Sequence, residues 1–136
     1  MKEKENGKKL QEKYMEFQIL QQQIEQLSKY MEELDAKLEE FSLTKENIEG
    51  MEKVPQNAET LVSLAPGIFA QAEIKENKKF VINVGANVLV EKTIPQIAEL
   101  LNKQIEEISQ AQMQMDQNLL AMNQRMKDLI KELQSS

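Results

Sequence analysis

Histidine, cysteine and tryptophan are all missing from these 136 residues, and each absence closes off chemistry. Without histidine or cysteine there is no ordinary general base, no thiol nucleophile and no zinc ligand set of the common kinds. Disulfides are excluded, which is compatible with a reducing compartment. Glycine occurs only at Gly7, Gly50, Gly67 and Gly85, in no arrangement that cradles a phosphate. Carboxylate pairs such as Glu32-Glu33 and Glu106-Glu107 lie on expected solvent faces of helices, so no enzyme activity, metal or cofactor is expected.

Aromatic residues make up 4% of the chain, too few for a compact globular core of this length. Clustered positive charge is also lacking. The formal net charge is −6, and the basic residues Lys2, Lys4, Lys8 and Lys9 alternate with Glu3 and Glu5, which reads as a solvated, frayed terminus. A nucleic-acid surface is therefore not expected. No apolar run approaches the roughly 20 residues of a membrane span, and Met1 to Lys9 has no apolar core of a secretion signal. The expectation is a soluble cytoplasmic protein with no membrane partner.

What the sequence does contain is two long heptad seams. In the first arm apolar residues recur at alternating spacings of three and four: Leu10, Phe17, Leu20, Ile24, Leu27, Met31, Leu34, Leu38, Phe41 and Ile48, interrupted by Lys13 and Lys45. Glutamates and glutamines fill the outer positions. Gly50 and then Pro55 mark the exit. The second arm opens with Thr93 as N-cap and Pro95 in the first turn. It repeats the pattern through Ile94, Ala98, Leu101, Ile105, Ile108, Met115, Leu119, Met122, Met126, Leu129 and Leu133, broken once by Gln112. Each seam spans about 58 Å at the α-helical rise. Equal arms joined through an insert fold back as an antiparallel coiled coil, with Ile48 near Ile94 and Leu10 near Leu133. Ordering so much backbone costs about 1–2 kcal/mol per residue, so the free end is expected to fray.

The insert reads as β structure in two hairpins. Its runs are 60–64, 68–74, 79–84 and 87–92, separated by Ala65-Pro66-Gly67, Glu76-Asn77-Lys78 and Gly85-Ala86. Strand alternation puts apolar side chains on both faces. A sheet with open edges and two greasy faces must be covered, so Leu61, Val62, Leu64, Ile68, Phe69, Ile74, Phe80, Ile82, Val84, Val88, Leu89 and Val90 are assigned to oligomerisation. The fold class is thus mainly α with a small β part, as one domain over 1–136: a helix over 8–50, hairpins over 58–93 and a helix over 94–134.

Some apolar residues fall outside the seams. Near the insert Leu43, Met51, Ile97 and Leu100 are expected to pack on the β body. Toward the free end Tyr14, Met15, Ile19, Leu120 and Ile130 have nothing in the chain to cover them, and the seam there becomes rich in flexible methionine. These features suit either a soft grip on apolar segments of other proteins or ordinary scattered surface hydrophobes.

This plan resembles the alpha-type subunit of prefoldin, archaeal in kind, over almost the whole chain. The likeness is most specific in Thr60-Leu-Val-Ser-Leu-Ala-Pro-Gly-Ile-Phe69 and in Val81-Ile-Asn-Val-Gly-Ala-Asn-Val-Leu-Val-Glu-Lys92. Two hairpins rather than one point to the alpha type. The family tends to have Pro at the position of Ser63, Gly at Ala65 and Asn87, and Ala at Pro66, while Gly67 and Gly85 match. The resemblance implies an ATP-independent co-chaperone of two alpha-type and four beta-type subunits, whose hairpins form a double β-barrel body. Coiled-coil tips would hold unfolded protein clients and pass them to a group II chaperonin. On that basis Leu10, Tyr14, Met15, Phe17, Ile19, Met122, Met126, Leu129, Ile130 and Leu133 form the candidate client-binding group. The competing readings are a coiled-coil scaffold or filament-forming protein using the same β module, and an adaptor rod that binds one folded partner.

Overall fold

The structure, a computed structural model, describes residues 2–135. Helix α1 runs Lys2–Gly50, strands β1 and β2 span Ala58–Ala65 and Ile68–Ile74, β3 and β4 span Lys79–Asn83 and Leu89–Thr93, and α2 runs Ile94–Gln134. A single 3₁₀ turn, Met51–Lys53, follows α1. The chain divides into two compact units, one of residues 1–38 and 107–136, the other of residues 39–106; α1 and α2 each run through both.

Helix α1 begins at Lys2, earlier than expected at residue 8. Its first turns are built from Glu and Lys, which lose little rotamer freedom in a helix and offer Glu-to-Lys pairs four residues apart, such as Glu5 and Lys9. The helix stops for a different reason than Gly50 alone suggests. Gly50 is still right-handed (φ −63°), the 3₁₀ turn follows, and the first extended residue is Val54 (φ −82°, ψ 122°). Val54 precedes Pro55, whose ring disfavours helical backbone at the residue before it. The proline ends the helix.

In the first unit the two helices are antiparallel. Lys13 meets Glu132, Glu16 meets Arg125 and Asp35 meets Gln112, so positions rise along one helix as they fall along the other. The heptad seam is visible in burial: every seam position named above within this unit is half-buried or buried, including the interruptions Lys13 and Gln112. Gln112 is accommodated because its amide donates to the Asp35 carboxylate. The end expected to fray instead holds the most deeply buried side chain among the described residues, Leu129, at 0% exposure.

The second unit carries the hairpins and the adjoining helical segments. The hairpins form two separate two-stranded antiparallel sheets, β1 with β2 and β3 with β4, and do not pair with each other. In the first, Ala65 opposes Ile68 across Pro66-Gly67, with a bulge between Ser63 and Ala65. Proline at the first central position and φ +78° at Gly67 give a type II turn. The second turn is longer than the expected Gly85-Ala86 pair. Gly85, Ala86 and Asn87 all have positive φ (120°, 49° and 60°), and the turn closes through Val84 N–H to the Val88 carbonyl at 3.0 Å and Val88 N–H to Gly85 at 2.9 Å. Asn83 Oδ1 accepts from Gly85 N–H at 2.9 Å. Three consecutive left-handed residues cannot continue a strand, so Val84, Asn87 and Val88 belong to the turn and β4 begins at Leu89.

Between the hairpins Asn77 Nδ2 donates to the Val54 carbonyl at 2.9 Å, tying the β2–β3 loop to the exit of α1. Strand β4 passes into α2 with no intervening loop. Thr93 Oγ1 accepts from Gln96 N–H (3.4 Å) while Gln96 Oε1 accepts from Thr93 N–H (2.9 Å), a reciprocal capping box. Ile94, Ile97 and Leu101 are the buried apolar side chains of this unit. Leu43 and Leu100, expected to be covered by the β body, are exposed, whereas Met51 is half-buried and Ile97 fully so. A heptad puts Leu43 and Leu100 on the outer side of their helices, beyond reach of anything the chain itself supplies.

Candidate functional site

Two surfaces collect apolar side chains that the fold leaves open. On the hairpins, Leu61, Val62, Leu64, Ile68, Phe69, Val84, Val88 and Leu89 are exposed. Ile74 is half-buried, as are Phe80, Ile82 and Val90, the last three together on one face of the second hairpin. The register explains the split in the second hairpin. Ile82 pairs with Val90 and Phe80 with Lys92 on one face, so Val81 and Leu89 point the other way. All four strands are edge strands, and each hairpin shows a greasy face.

The second surface lies where the terminal stretches of α1 and α2 pair within the first unit. Of the ten candidate residues there, Tyr14 (55% exposed), Met15, Ile19 and Ile130 are open to solvent. Leu10, Phe17, Met122, Met126 and Leu133 are half-buried in the seam, and Leu129 is enclosed. Placement follows from heptad phase. With Phe17 at a and Leu20 at d, Tyr14 takes an e position and Met15 the outer f position, while Ile130 takes an e position on α2. Leu120, absent from the candidate group, is the most exposed large apolar residue of this surface.

A cluster of charges crosses the same seam. Arg125, the only arginine in the sequence, donates Nε–H to Glu16 Oε1 at 2.7 Å and Nη2–H to Glu16 Oε2 at 2.9 Å, a two-point contact. Arg125 Nη1 also lies 3.8 Å from Glu132, and Lys13 Nζ lies 3.6 Å from the same carboxylate. Hydrogen bonding from Arg125 holds the Glu16 carboxyl below its usual range, and Glu16 in turn raises the guanidinium. The composition-led reading missed this clasp. Its signal was present: Glu16, Arg125 and Glu132 all occupy g positions, and antiparallel helices bring g opposite g.

The clasp predicts a pH dependence. Because the carboxyl titrates lower when folded than when unfolded, its contribution is present above the unfolded value and lost as pH falls through the folded one. Glu16→Gln should remove that part of the acid dependence of helix-pair melting and slightly lower stability at neutral pH. The pair is solvent-exposed, so the effect is small. Parallel melts of both proteins across the carboxylate range test it, and identical profiles would show that the contact contributes nothing.

A family model for the prefoldin subunit matches residues 20–136. The chain belongs to the prefoldin family. Members are chaperone subunits, which gives this chain a chaperone-associated role. Its similar relatives are archaeal alpha-type prefoldin subunits. That of Archaeoglobus fulgidus is 32% identical over 121 residues, covering 87% of this chain and 88% of the relative. That of Thermofilum pendens is 35% identical over 98 residues (70% and 74%), and prefoldin subunit alpha 1 of Thermococcus kodakarensis 34% over 103 residues (76% and 70%). Among solved structures, the cryo-EM structure of filamentous PFD from Methanocaldococcus jannaschii matches with a TM-score of 0.76 at 18% identity, covering 87% of this chain and 98% of the other. That likeness establishes the prefoldin fold: two long helices with two small hairpins between them. Among the described residues no helix is long and apolar enough to cross a membrane.

Proposed function

We propose that this prefoldin chain is an alpha-type subunit that assembles with beta-type subunits, two alpha to four beta, through its hairpin faces. The assembled complex holds non-native polypeptides at the terminal helix pairs and delivers them to a group II chaperonin in the cytoplasm. No nucleotide is consumed, and the chain acts as one domain. The observation that carries the reading is the group of exposed apolar side chains Tyr14, Met15, Ile19 and Ile130 on a helix pair whose own core is already filled. Single contacts of this kind are weak, and several arms acting together multiply them through effective concentration. The half-buried members, and Leu129 behind them, become available only as the paired ends separate.

Replacing Tyr14, Met15, Ile19 and Ile130 together by serine, in the complex formed with a beta-type partner, should reduce suppression of aggregation of a denatured test protein by about tenfold or more, since the exposed contacts together are worth on the order of 1–2 kcal/mol. The mass of the complex should not change. Undiminished suppression would overturn the assignment.

A further inference from the structure

The two flanks of the terminal helix pair differ in charge. The flank defined by g positions carries the clasp: Glu16 on α1, Arg125 and Glu132 on α2, with Glu12 and Asp128 in the next row outward. The opposite flank is built from e and b positions. At the same level these are Gln, Tyr, Gln and Gln at 11, 14, 18 and 21, and Leu, Asn, Lys and Ile at 120, 123, 127 and 130. All eight are exposed, and Lys127 is the single charge among them. The register set by Glu16–Arg125 and Lys13–Glu132 brings Tyr14 level with Ile130, since antiparallel helices place e opposite e.

An unfolded segment presents apolar side chains together with backbone N–H and C=O groups that have lost their partners. Glutamine and asparagine amides both donate and accept, so they can satisfy either group without favouring one client charge over another. Apolar side chains set among amides therefore match an extended backbone, whereas a flank of fixed charges would select by client charge and would lose its own ion pairs on contact.

We propose that a non-native polypeptide lies extended along this uncharged flank, over Tyr14, Gln18 and Gln21 of α1 and Leu120, Asn123 and Ile130 of α2, with the clasp facing away and the seam closed. The inference rests on the client-holding reading above and narrows it to one side of the helix pair.

Two variants separate the flanks in the complex with a beta-type partner: Tyr14→Ser/Leu120→Ser/Ile130→Ser on the uncharged flank, and Met15→Ser/Ile19→Ser on the outer and charged side. The probe is chemically denatured test protein titrated against each complex, with a photo-crosslinking residue placed in turn at Gln18 and at Glu12. The expected result is at least a tenfold rise in the half-maximal concentration for the first variant, less than twofold for the second, and crosslinks from position 18 but not 12. An equal or larger loss in the second variant, or crosslinks mainly from position 12, overturns the flank assignment while leaving client holding in place. If neither variant changes holding, or the unaltered complex holds nothing, client holding at this end fails and the flank assignment with it. Unchanged helical circular dichroism in both variants shows that the pair has stayed folded.

Discussion

Leu129→Ala should destabilise the helix pair by about 2–5 kcal/mol, the usual cost of emptying a buried leucine site. Leu129 is fully enclosed, occupies a d position one heptad after Met122, and is flanked along α2 by Arg125 and Glu132 of the clasp. Alanine is the best helix former, so the loss cannot be assigned to local propensity. Leu120→Ala is the matched control: the same chemical change, about two and a half turns earlier, at a side chain 73% exposed. It should shift stability by no more than about 0.5 kcal/mol. Denaturant unfolding followed by helical circular dichroism compares the two, and equal midpoints would mean that Leu129 is not held in the seam.

The second large effect concerns the hairpins. Phe69→Asp combined with Leu89→Asp should abolish assembly with a beta-type partner, reducing the measured mass from that of a complex to that of a single chain. Both side chains are exposed on hairpin faces, where a charge is harmless in the isolated chain and uncompensated once a partner covers it. The variant should keep its helical signal, because the seams contain neither residue. Persistence of the original mass would show that these faces are not the assembly surface. Growth to open-ended, length-variable species in the unaltered protein would favour the filament-forming reading over a closed complex.

Much of this architecture was legible because heptad spacing is a strong periodic signal and the residues that break it are few. Lys13, Lys45 and Gln112 stand out as interruptions, and all three are half-buried at seam positions. The strand β2, Ile68–Ile74, was readable to the residue because proline and glycine bound it on one side and charged turn residues on the other. The second hairpin was misread at its turn. Composition does not reveal that an alanine will be left-handed; Ala86 does so because Gly85 and Asn87 beside it impose the turn path. The fates of Leu43 and Leu100 were also out of reach, since a sequence shows which residues are apolar and not whether the chain has material to cover them. The candidate client residues combine seam and off-seam positions near the free end of the arms, and exposed Tyr14 separates from enclosed Leu129 only once both helices are in place.

The direct passage from Thr93 into Ile94 has a mechanical consequence. With no slack between strand and helix, the azimuth of the side chains in the opening turns of α2 is phased by the pleat of β4. Deleting or adding one residue at this joint would rotate those first turns by about 100° and swing buried Ile94, Ile97 and Leu101 toward water. Chain-length variation during evolution should therefore accumulate between Lys53 and Ala58, where a turn can absorb it, and be purged at the joint.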